Sequence, residues 1–192
     1  WIENTTPEEL REGVKEGILG WNKAFEKAGF KNAMVVKVQP DDADWTAGDI
    51  RYNVIRWTAS PYPPFRGYGP SFVNPRTGQI LGADIMLDYS AFKRIYLNTK
   101  PFDNASASFL DVEHDETEEG HVEVPGMEVH KFCMAGNYTT LDNMFAEQIM
   151  RFDGADAQAM EAMEYELLVR LVMHEVGHTL GLMHNMKGSQ ML

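Results

Sequence analysis

The chain has 192 residues, 44% hydrophobic and 24% charged, proportions that mark a globular domain with a real core and exclude wholesale disorder. Asp and Glu outnumber Lys and Arg by 29 to 17, a formal net charge of −12. That balance argues against nucleic acid or an anionic membrane surface as a partner, because both require clustered basic side chains; the plain consequence of the charge is solubility.

One cysteine, Cys133, excludes a disulfide within the chain and is read as a small buried hydrophobe. No apolar run is long enough to span a bilayer, and no signal peptide is visible. The chain opens inside an apparent strand and stops shortly after its strongest motif. It is therefore expected to be a piece of a longer protein, comprising a single domain over residues 1–192.

Taken in order, residues 1–4 read as a strand end. Thr6-Pro7-Glu8-Glu9 predicts a helix start, with Thr6 as cap, Pro7 in the first turn and Glu9 completing a capping box. Leu10, Val14, Ile18, Trp21 and Phe25 recur at helical spacing and give one apolar face, and Gly29 closes the helix. This backing helix is scaffold. Residues 33–38 are a β-branched run expected to form a buried strand. Asp41, Asp42 and Asp44 lack the further ligands of a loop site, so the stretch is a solvated turn and a structural calcium ion has no support. Residues 50–57 predict a second strand, and the aromatic, Pro- and Gly-rich residues 60–75 a loop without ladder potential. Asn74 to Gly78 signals a tight turn, and residues 79–88 a third strand with Gly82 as a close-approach point.

Residues 89–100 fit helix or strand equally. Residues 103–123 are the most acidic stretch and are expected to be a mobile surface loop; the whole of 89–153 is an insertion or loop region with little assignable structure. His114, His121 and His130 match no ligand spacing and are read as solvated. Residues 140–152 predict a helix ended by Gly154. The last helix is expected from about 156 to 180, with Leu167, Leu171, His174 and His178 on one core-facing stripe.

That helix carries His174-Glu175-Val176-Gly177-His178-Thr179-Leu180-Gly181-Leu182-Met183-His184. Side chains four apart share a helix face, so His174 and His178 can reach one ion. Gly181 permits a sharp exit from the helix, and His184 then returns as a third ligand. Three imidazoles leave a fourth position open for water, which distinguishes a catalytic zinc site from a structural one. Glu175 stands where it can act as general base. The full spacing is far more specific than a bare H-E-x-x-H.

Together with the element order, this motif resembles the catalytic domain of metzincin metalloproteases, matrix metalloproteinases included. Finer wording (Trp1-Ile2-Glu3-Asn4-Thr5-Thr6-Pro7, Tyr68-Gly69-Pro70-Ser71, Gly82-Ala83-Asp84-Ile85 and His184-Asn185-Met186-Lys187) is similar to a bacterial family of large, exported zinc-dependent metalloproteases. The resemblance implies an α/β (α+β) fold: a twisted, mostly parallel sheet with one antiparallel edge strand, a backing helix and a C-terminal active-site helix. It implies that residues 79–87 are that edge and pair with extended peptide substrate. It implies one catalytic Zn2+ held by His174, His178 and His184, with Glu175 as base, in a secreted endopeptidase. Met191 comes too soon and without the expected continuation for the family's Met-turn, which is expected beyond Leu192. Two other functions remain open at this stage: a metal-retaining, non-proteolytic module that binds protein or glycan, and hydrolysis of a non-peptide bond by the same water chemistry.

Overall fold

A computed structural model of the chain describes residues 1–59, 67–88 and 152–184, together with 146, 149 and 150. The expectations for residues 60–66 and 89–145, for Cys133, His114, His121 and His130, and for Met191 lie outside the described residues.

The sheet is built around one long strand. β4 (Ile80–Asp88) pairs in parallel with β1 (Val54–Thr58) on one side. On the other it pairs antiparallel with β2 (Gly67–Tyr68) and β3 (Ser71–Val73). Single parallel bridges from Ile2 to Ile55 and to Val38 continue the sheet beyond β1. The architecture is thus a mixed α/β sheet closed by a C-terminal helix, in line with the expected fold class. One detail is corrected. Residues 79–87 are not an edge along their whole length, because Asp84 to Asp88 pair with β1 on one side while β2 and β3 pair along the other. Among the described residues the antiparallel edge is β2 with β3, inside the stretch read as a loop. Gly and Pro punctuation hid these strands, whose ladder is supplied by a partner distant in sequence.

Helix α1 (Glu8–Leu19) begins one turn-position later than predicted, with Pro7 at the cap and no side-chain capping bond. The Thr6 hydroxyl does not cap the helix and is buried without a hydrogen-bond partner among the described residues. The apolar periodicity runs on, but the helix breaks at Gly20 and Trp21 before α2 (Asn22–Lys27). Residues 33–38 form an extended segment with a single bridge, and Val35 and Val38 are exposed, so the expected buried strand is overturned. β1 begins only at Val54: the preceding Tyr52 instead stacks on Trp45, centroids 3.9 Å apart, in a small aromatic cluster with Trp1. The turn at Asn74 to Gly78 forms as predicted, with Gly78 at φ 74°.

Helix α3 (Ala157–Thr179) starts where the sequence places it, its Asp156 side chain accepting from the Ala159 amide at 2.9 Å. It packs on α1 and on the sheet. The main core joins Ile2, Val14, Ile18, Ile55, Ile85, Leu87, Leu168, Val172 and Val176. The buried stripe of α3 is therefore Leu168, Val172, Val176 and Thr179; of the predicted Leu167, Leu171, His174 and His178, none is fully buried and Leu171 packs against the core from its margin. One residue is about 100° of helix rotation. The histidines thus flank the core stripe and are half-buried.

Candidate metal centre

His174 and His178 occupy the last turns of α3. The helix ends in a Schellman motif: the Leu182 amide donates to the Gly177 carbonyl at 3.0 Å and the Gly181 amide to the His178 carbonyl at 2.9 Å. Gly181 adopts φ 92°, a left-handed conformation that costs a residue with a Cβ about 1–2 kcal/mol. This turn folds the chain back so that His184 reaches the other two.

The result is a convergent set of three imidazoles. Nε2 of His174 lies 3.1 Å from Nε2 of His184 and 3.0 Å from Nε2 of His178. Ring centroids are 4.6, 5.1 and 4.7 Å apart, and one nitrogen of each ring falls within 4.8 Å of the others. Tetrahedral zinc with Zn–N distances of about 2.0–2.1 Å requires ligand nitrogens roughly 3.3 Å apart, so the spacing fits one such ion. The tautomer fits as well. Nδ1 of His178 is 2.9 Å from the Leu182 carbonyl. A carbonyl only accepts, so the proton is on Nδ1 and the Nε2 lone pair is free to bind metal. The Schellman turn therefore delivers the third imidazole and orients the second. Burial, then the charges of His178 and His184, lowers the pKa of His174; burial and His178 lower that of His184. Both favour the neutral ring that a metal requires.

Glu175 is fully buried at 0% exposure, and neither carboxylate oxygen has a hydrogen-bond partner among the described residues. Burial raises its pKa from 4.5 to about 7. Its neighbours are Gly67 and Gly69, which the sequence reasoning overlooked, because nothing local in the sequence marks them as partners of a distant buried acid.

Residues 156–192 match a family model described as Met-zincin. This C-terminal region is of metzincin type. The match begins at the cap of α3 and spans all three histidines, in accord with the resemblance read from the motif. No curated protein and no solved structure matches the chain. The metzincin region thus brings His174, His178 and His184 together and buries Glu175 beside them in the chain.

A buttress holds the metzincin helix from behind. The Trp21 indole N–H donates to the Met173 carbonyl at 2.9 Å, one residue before His174. Its ring lies flush on Gly177, where an added Cβ would come within 2.9 Å of it. Gly177 inside the helix therefore has a close packing partner in Trp21. Helix propensity alone makes Gly177→Ala stabilising by about 1 kcal/mol. Overpacking costs about 1–3 kcal/mol, and this term is expected to win, lowering Tm by a few degrees in a thermal melt. A rise in Tm would show that Trp21 yields freely.

The metal-free protein should also carry a pH signature. The folded Glu175 carboxyl holds its proton up to about pH 7, whereas the unfolded one releases it near 4.5. Between those values the folded state binds more protons, so this contribution is complete at low pH and is lost as pH rises through 7. Glu175→Gln should remove that component from urea denaturation of chelated protein at pH 5 and pH 7.5. An unchanged difference between the two would show that Glu175 does not titrate in this way.

Proposed function

We propose that the chain carries a zinc-dependent endopeptidase site. The observation that supports this most is the convergence of three imidazoles, with Nε2 of His174 3.1 Å from that of His184 and 3.0 Å from that of His178, next in sequence to a buried glutamate whose carboxylate has no hydrogen-bond partner among the described residues. In this reading His174, His178 and His184 hold one Zn2+. The chemistry such an ion supplies is Lewis acidity toward the scissile carbonyl and a water acidified toward a pKa of about 7. Glu175 takes a proton from the attacking water at its carboxylate and passes it to the leaving amine. In the metal-free protein burial raises the pKa of this carboxyl to about 7. The Leu182 carbonyl keeps His178 in the ligating tautomer throughout.

Extended substrate is expected to add to the antiparallel edge formed by β2 and β3 rather than to residues 79–87, which β2 and β3 pair on one side and β1 pairs on the other from Asp84 onward. Export from the cell belongs to the same proposal, in keeping with the usual setting of metzincins. Among the described residues no helix is long and apolar enough to cross a membrane.

Digestion of a broad peptide library, with and without chelator, tests the reading. Cleavage that chelation abolishes and zinc restores is the expected result. An undigested library with zinc bound would instead favour a metal-retaining binding module, and cleavage indifferent to chelation would remove the metal from the chemistry.

A further inference from the structure

The Glu175 carboxyl has no hydrogen-bond partner among the described residues, and what packs against it is backbone. That packing comes from β2 and the residue that follows it. A Cβ built at Gly67 would lie 2.5 Å from Oε1 of Glu175 and 2.6 Å from both its Cδ and its Cγ. A Cβ at Gly69 would lie 2.5 Å from the Glu175 main-chain oxygen and 3.3 Å from Oε2. The two glycines, alternate along the strand direction, therefore present bare backbone to the whole length of one acidic side chain. The strand is itself anchored: Gly67 pairs with Leu87 and Tyr68 with Met86, and Leu87 is fully buried in the core.

We propose that Gly67 and Gly69 are positioning residues that hold the Glu175 carboxyl in one rotamer, a sterically defined cradle for the base. The inference rests on the reading of Glu175 as the base of the endopeptidase reaction. The two positions act differently. A side chain at residue 67 collides with the carboxyl and its stem, so Glu175 must leave its rotamer. A side chain at residue 69 meets the backbone of α3 and lifts the strand from the helix. Gly67 is accordingly the cleaner probe of positioning.

The test is a double-mutant cycle of Gly67→Ala with Glu175→Ala, read by thermal melting, zinc content and peptide kinetics. With Glu175 present, Gly67→Ala should lower Tm by several degrees and reduce kcat by about 100-fold, the scale of a misplaced reacting group, while KM and zinc content stay unchanged. With Ala at residue 175 the space is open, and the same substitution should carry no thermal penalty. Should Gly67→Ala alone fold poorly, pairing it with Glu175→Asp, whose carboxyl is one methylene shorter, should restore folding. An equal loss of Tm in both backgrounds, failure of the Asp variant to restore folding, or unchanged kcat would overturn the proposal. Because the thermal cycle needs no turnover, a protein that cleaves nothing would refute the endopeptidase reading while the cradle is still measured.

Discussion

Glu175→Gln is expected to reduce peptide turnover roughly 100- to 10,000-fold, the span for loss of a positioned acid/base, with zinc content unaltered. The substitution is close to isosteric, so the side chain still occupies the space under Gly67 and Gly69. What it removes is the ability to take up and release a proton. A carboxyl with a pKa of about 7 exchanges protons readily near neutrality, whereas an amide does not. The histidines approach one another through the helix and its Schellman turn, neither of which depends on Glu175, so metal and chemistry are separable. Kinetics on one cleaved peptide and elemental analysis of the same sample measure both. An undiminished rate would exclude Glu175 as the base.

His184→Ala has the second large effect, on metal rather than rate. Its Nε2 lies 3.1 Å from that of His174, yet the residue is exposed at the end of the turn that follows Gly181. Removing it therefore costs little packing, with stability expected to change within about 0.5 kcal/mol as for other exposed positions. Zinc affinity should fall by more than the roughly 10- to 100-fold typical of losing a partner outside the ligand set. A competitive chelator titration alongside a thermal melt separates the two quantities. Full zinc retention would take His184 out of the site.

The features legible in the sequence were those whose cause is local. Asp156 announces α3 through a capping bond three residues on, and the histidine spacing follows from the helical repeat and a glycine-dependent turn. Features that depend on partners far along the chain were misread. The stripe of Leu167, Leu171, His174 and His178 is a valid helical face, but the sheet and α1 select its neighbour, containing Leu168, Val172 and Val176. Periodicity defines faces without saying which one is buried. β2 and β3 looked like loop because their glycines and proline carry no strand propensity; β4 supplies the ladder. Trp21 was expected to extend one helix face. It instead leaves a helix break to brace α3 across 152 residues of sequence. The glycines beside Glu175 escaped for the same reason: their role is visible only once strand and helix are packed together.

The most direct test of the central claim is zinc K-edge X-ray absorption on the zinc-loaded protein. Three imidazole nitrogens at about 2.0–2.1 Å with one further light-atom ligand, exchangeable for a small anion, are expected for an open catalytic site. A sulfur at about 2.3 Å, or a fourth non-exchangeable protein ligand closing the shell, would contradict the assignment of His174, His178 and His184 as the ligands of a catalytic zinc.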